Sequence, residues 1–83
     1  MDLQDTIKMM NSNDYKERFK AEYYQLTIRT MKLSTMINKY YDGTLEFKPS
    51  TPIEILKRQL SIMENYIITL ETRAAIEHIE LRA

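Results

Sequence analysis

Two long stretches of the chain carry the same apolar rhythm. Phe19, Tyr23, Leu26, Thr30, Leu33, Ile37 and Tyr40 recur at alternating gaps of four and three. Ile53, Leu56, Leu60, Met63, Ile67, Leu70 and Ala74 recur in the same way. This spacing keeps one stripe of a helix turned toward a neighbouring helix, so each stretch predicts a long helix and each supplies the partner that the other needs. The boundaries carry their own signals. Asp14 with Glu17 three residues on predicts a cap and a return bond for the first long helix, and Thr51, Pro52 and Glu54 predict the same for the second. Asp42-Gly43 marks the end of the first, near Tyr40 or Tyr41, with the chain's one glycine where a left-handed cap residue is expected.

At the N-terminus, Leu3, Ile7 and Met10 share one side of a short amphipathic helix with Asp2 as its cap. So short a helix is marginal alone and has to dock on the rest of the chain. The connector contains Pro49 and is irregular, with Leu45 and Phe47 expected against the helix ends; a short strand there would need a pairing strand. The last helix continues through Ile76 and Ile79 and frays toward Ala83. The expected layout is one all-α domain over residues 1–83: a helix at about 3–10, a helix at about 15–41, a connector at 42–51 and a helix at about 52–80. At 1.5 Å rise per residue each long helix is about 40 Å, so the two match as an antiparallel hairpin.

A second set of apolar residues lies off the seams, Tyr24, Ile28, Met31 and Met36 on one helix and Ile55, Ile62, Tyr66, Ile68 and Ile76 on the other. A two-helix hairpin buries one stripe per helix, so these predict subunit interfaces in a homo-oligomer. Composition sharpens that expectation. A chain of 83 residues buries little surface alone, and with no cysteine and a single histidine neither disulfides nor a structural zinc site can compensate. Twelve basic and twelve acidic residues leave no net charge to draw the chain to duplex nucleic acid or an anionic membrane. No apolar run is long enough to span a bilayer, and MDLQDTIKMM lacks the features of a signal peptide, so the expected location is the cytoplasm.

Read as patterns, the last helix is Leu56-x-x-Gln59-Leu60-x-x-Met63-x-x-Tyr66-x-x-x-Leu70-x-x-Arg73, and the first long helix opens Asp14-Tyr15-x-x-Arg18, followed by Glu22, Leu26, Lys32 and Leu33. Together, from about Asp14 to Arg73, they resemble the small phage anti-CBASS proteins that act as sponges for cyclic oligonucleotide signals, including relatives in crAss-like phages. The resemblance implies a compact homo-hexamer in the host cell cytoplasm that holds cyclic dinucleotides such as cyclic GMP-AMP between protomers, without cleaving them and without a cofactor. It places a base-stacking aromatic at Tyr15. For the basic residue that supports the phosphates it allows Lys32 or Arg29, with Lys32 preferred because it precedes the seam leucine Leu33. Arg73 matches a family arginine that serves a separate cyclic trinucleotide pocket.

The residues support such a site on their own chemistry. A cyclic dinucleotide offers two flat bases and two singly charged phosphates, which call for aromatic faces and cations; stacking on an aromatic side chain is worth roughly 1–3 kcal/mol per base. Tyr15 and Lys32 lie 17 residues apart, about 25 Å on one helix, so one protomer cannot bring both to one small ligand, whereas an antiparallel neighbour can. Each residue also has an ordinary reading: Tyr15 as packing at a helix start, Lys32 and Arg29 as solvated charges, Met63 and Tyr66 as core or interface filling, Arg58 paired with Glu54 and Arg73 with Glu77. His78 with Glu77 and Glu80 does not make a metal site, because adjacent helical positions diverge by about 100°. Without a cysteine, a nucleophile elbow or a glycine-rich phosphate loop, no enzyme is expected. The rival reading is a helical interaction module whose second stripes dock on a host or phage protein.

Overall fold

The computed structural model describes residues 1–81, and the fraying expected toward Ala83 lies outside them. The described residues contain three α-helices and no strand: α1 (Ile7–Met10), continuing a single 3-10 turn at Leu3–Thr6, then α2 (Tyr15–Asp42) and α3 (Ile53–Glu77). The two long helices form an antiparallel hairpin, as the matched seams require. Cross-helix partners run in opposite order along them, with Tyr15 at the start of α2 meeting Glu77 at the end of α3, and Tyr23, two turns on, meeting Glu71. The molecule measures 43 × 25 × 18 Å, its long dimension matching the 28 residues of α2 at 1.5 Å each.

Packing along the seam is uneven. Phe19, Leu26, Leu70, Ala74 and Ile79 form the buried cluster at the open end of the hairpin, with Tyr23, Met63, Ile67 and Leu81 packed around it. Leu70 is only 1% exposed. Toward the connector Leu33, Leu56 and Leu60 are half-buried, and Tyr40 and Phe47 lie open, so Phe47 does not tuck against the helix ends as expected.

The ends of the helices follow capping chemistry, with two departures from the expected pattern. Asp14 accepts from the Lys16 amide at 3.0 Å, but Glu17 makes no return bond; the Asp14 amide donates to Ser12 Oγ at 3.0 Å and Glu17 pairs with Lys20 at 3.8 Å. Gly43 takes φ +75°, and the amides of Gly43 and Thr44 donate back to Tyr40 and Lys39, closing the end of α2 as the one glycine promised. Thr51 does not cap α3. The cap residue is Pro52, extended at ψ 142°, whose carbonyl accepts from Ile55 and Leu56, while Glu54 joins the first turn as an acid facing the positive helix end. The expected Glu54–Arg58 pair is also absent; the ion pairs among the described residues are Lys20–Glu17 and Arg73–Glu77.

α3 stops at Glu77 rather than near residue 80. His78 turns left-handed at φ 58°, and the Ile79 amide donates to Ala74 at 2.9 Å. The break has a packing cause: Ile79 falls off the seam register, and leaving the helix buries it in the core, 6% exposed. The N-terminal segment also docks differently from its apolar pattern. Ile7 and Met10 remain exposed, and the buried anchor is Thr6, which donates to Leu3 at 2.7 Å and accepts from Gln25 Nε2 at 3.0 Å. Arg18 donates to the Ser12 carbonyl at 2.9 Å, and the fully buried Ala21 lies between Arg18 and Gln25 on that face, where a small side chain permits close approach. Asp2 caps the segment as expected, in a reciprocal box with Asp5.

Two substitutions probe this architecture by chemical denaturation. Leu70→Ala is expected to cost about 2–5 kcal/mol, the usual loss for a large apolar residue in a packed core. His78→Gly is expected to stabilise by about 1 kcal/mol, since glycine alone adopts the left-handed conformation without steric cost.

Candidate functional site

The open end of the hairpin brings together residues from the starts and ends of the long helices. Tyr15 is the first residue of α2, and its hydroxyl donates to Glu77 Oε1 at 2.7 Å. Arg73, one turn before Glu77 on α3, donates from its terminal nitrogen to the Tyr15 hydroxyl at 2.9 Å and from Nε to Glu77 Oε2 at 3.3 Å. The guanidinium lies over the Phe19 ring at 4.9 Å from its centre, and Tyr15 meets the edge of the same ring at 6.2 Å. A cation held on an aromatic face is favoured by the ring quadrupole, which fixes Arg73 from below while its edge faces outward.

The expected Arg73–Glu77 pair therefore forms, and with it a contact between Arg73 and Tyr15 that helix spacing on a single element did not reveal. The cluster is an open ledge: Tyr15 is 46% exposed. Its hydrogen bonds still shift its protons. The bond to Glu77 is the main reason the Tyr15 phenol is held above its ordinary value of 10.0, with partial burial and the Glu77 charge adding to it and Arg73 opposing. The same bond is the main reason the Glu77 carboxyl is held below its ordinary 4.5, with Arg73 reinforcing it against desolvation.

The other named cations stand elsewhere. Arg29 and Lys32 are exposed on the middle of α2 and make no hydrogen bond or ion pair among the described residues. The ordinary reading as solvated charges describes them within one chain. Tyr66 is partly exposed and donates to Glu22 across the hairpin, while Met63 packs on the core. No group of histidine, cysteine, aspartate and glutamate among the described residues is arranged to hold a metal ion, and no described helix is long and apolar enough to cross a membrane.

A family model matches residues 13–76, which takes in α2, the connector and nearly all of α3. Its description is Sequestin. The chain belongs to the Sequestin family. The name suggests a sequestering role and specifies no partner. No curated protein and no solved structure matches the chain. Within the Sequestin match fall Tyr15, Phe19, Arg29, Lys32 and Arg73; Glu77 lies one residue beyond it.

Two members of the cluster escaped the reading of the sequence as site residues. The sequence places Phe19 on the seam, and Glu77 in a pair with Arg73 or in a rejected metal set with His78 and Glu80. Antiparallel register would have found both: once Phe19 faces Leu70, Tyr15 one turn earlier must face the turn that holds Arg73 and Glu77.

The cluster predicts a pH window. Glu77, lowered on folding, contributes stability that is present above 4.5 and lost as pH falls through its lowered value. Tyr15, raised on folding, contributes stability that is present below 10.0 and lost as pH rises through its raised value. In Glu77→Gln the alkaline titration of Tyr15, followed by the NMR shifts of its ring protons, is expected to fall back toward 10.0.

Proposed function

We propose that the chain sequesters cyclic dinucleotides, with cyclic GMP-AMP the natural probe, at sites shared between copies of itself, and that it does so in the host cell cytoplasm to keep a CBASS effector of the host inactive. The observation that carries this reading is the pairing of an exposed tyrosine face with an arginine in one place: Tyr15 offers a surface for a base, and Arg73, in contact with it, offers a guanidinium for the neighbouring phosphate. That contact supports placing Arg73 with Tyr15 in the dinucleotide site; a separate cyclic trinucleotide pocket at Arg73 is the second reading, with cyclic trinucleotides the second ligand class.

A ledge open on one side needs a second wall. Supporting a shared site, α3 carries a second run at gaps of four and three, from Ile55 through Gln59, Ile62, Tyr66, Thr69 and Arg73 to Ile76, and every member is exposed. Ile62 is 60% and Ile76 72% exposed, large apolar side chains left open on one face and available to a partner. Arg73 belongs to this run, so an interface built on it places a neighbouring copy beside the Tyr15 ledge. Lys32 of that copy, with Arg29 as the alternative, then supplies the second cation. On α2 part of the corresponding stripe is already covered within the chain, because Tyr24 is buried; Met31 stays exposed and joins the interface. A homo-hexamer accommodates three two-fold sites of this kind.

Sequestration of this type is stoichiometric: it works when sites outnumber the signal and hold it more tightly than the effector does. Calorimetry with cyclic GMP-AMP is expected to show saturable binding by the assembly. Tyr15→Ala weakens it by about 1–3 kcal/mol per base, and Lys32→Ala by a comparable amount for a charge-assisted phosphate bond. Unchanged affinity in both variants rules out this site. No binding by the unsubstituted protein at high ligand concentration supports the rival reading, a module that docks its exposed α3 face on another protein.

A further inference from the structure

The anion already bound at the Tyr15–Arg73 ledge is the chain's own Glu77, and the geometry points to this carboxylate as an internal competitor that a ligand phosphate must displace. The inference rests on the reading of Tyr15 and Arg73 as ligand-binding residues. Glu77 engages the same donors that a phosphate would use. It takes the single Tyr15 proton at 2.7 Å and the Arg73 Nε–H at 3.3 Å, and it neutralises the guanidinium charge. An incoming phosphodiester finds Nη2 turned to Tyr15, Nε turned to Glu77 and no phenol proton free, so that only the remaining guanidinium N–H groups are open to it until Glu77 is displaced.

Helix stability does not explain the placement. Glu77 is the last residue of α3, where the exposed carbonyls carry partial negative charge and an acidic side chain is disfavoured; the last turn holds no basic residue. The contacts to Arg73 and Tyr15 offset that repulsion. Both partners of the ion pair are substantially exposed, at 46% and 33% of their side-chain surface, so the pair is weak and exchangeable. Arg73 does not depend on Glu77 for its position, because the Phe19 ring supports the guanidinium at 4.9 Å. Once displaced, Glu77 has only to swing about its own side chain.

The consequence is selectivity. A monocarboxylate exchanges one carboxylate for another and gains nothing, whereas a ligand that combines phosphate charge with a stacking base outcompetes Glu77. Removing the competitor then tightens phosphate binding, which a purely structural strut would not do.

The test titrates cyclic GMP-AMP and, separately, pyrophosphate into the unsubstituted protein, Glu77→Gln, Arg73→Ala and the double variant, with Glu64→Gln as a charge-matched control farther along α3. Arg73 Nε–H resonances and calorimetry serve as readouts, and thermal melts verify the fold. Glu77→Gln is expected to bind both probes about two- to fivefold more tightly, the fold-change equivalent to an exposed ion pair. Glu64→Gln changes neither, and the gain vanishes when Arg73 is already alanine. Weaker or equal binding by Glu77→Gln makes Glu77 a strut and overturns the inference. If the unsubstituted protein binds no cyclic GMP-AMP, the functional reading falls, and the pyrophosphate series decides on Glu77 by itself: a tighter Glu77→Gln supports the competitor, and equal affinities overturn it.

Discussion

Burial of Leu70 against Phe19 and Leu26 is the contact on which the rest of the structure depends. It sets the antiparallel register of α2 and α3 at the open end of the hairpin, and register decides which polar residues meet. With Phe19 fixed against Leu70 and Ala74, the turn of α2 that begins with Tyr15 can only face the turn of α3 that contains Arg73 and Glu77. The three tyrosine-to-glutamate bonds that tie the helices, from Tyr15, Tyr23 and Tyr66, sit at intervals along the same pairing. Ile79 completes the cluster by leaving the helix, and the left-handed His78 that permits this also fixes Glu77 as the end of α3. A hydrophobic constraint thus builds a polar site.

Much of this was legible in the residues. The two seams announced the long helices, their lengths announced a hairpin, and the lone glycine announced where α2 ends, because each signal is local and few alternatives satisfy it. The failures were of a different kind. Thr51 looked like a cap, but Pro52 in an extended conformation took the cap position and no side chain replaced it. Leu3, Ile7 and Met10 share a face that predicts burial, yet the segment is held by Thr6, Gln25 and Arg18, polar contacts whose partners lie twelve or more residues away or on another element. The end of α3 was set by long-range packing of Ile79. For the site, the residue types at 15 and 73 were legible, while their contact was not, since it exists only after the register is fixed.

The exposed second run on α3 adds a further constraint. A hairpin of two long helices has an inner stripe, which the seam covers, and outer stripes, which it cannot. On α2 the docked N-terminal segment occupies one outer face through Thr6. On α3 nothing among the described residues covers Ile55, Ile62 or Ile76. Arg73 lies on that bare face as well as on the Tyr15 ledge, so covering the face and completing the ledge are a single event. In the proposed reading this is the physical link between self-association and ligand capture. In the same proposed reading, a chain with no net charge would hold an anion through charge supplied locally, from more than one copy.

Mixing two weakened variants tests that link most directly. Tyr15→Ala chains keep Lys32, and Lys32→Ala chains keep Tyr15; each alone is expected to hold cyclic GMP-AMP only weakly. If the site is shared between copies, unfolding and refolding the two together restores binding at those sites where an intact Tyr15 of one chain meets an intact Lys32 of another. Each mixed two-fold site regains one half, in which Tyr15 and Lys32 act together on one nucleotide, while its other half lacks both; calorimetry then reads sites that bind more tightly than those of either variant and less tightly than those of the unsubstituted protein. Mixed assemblies that bind no better than either variant alone contradict a site built from both residues across a subunit boundary.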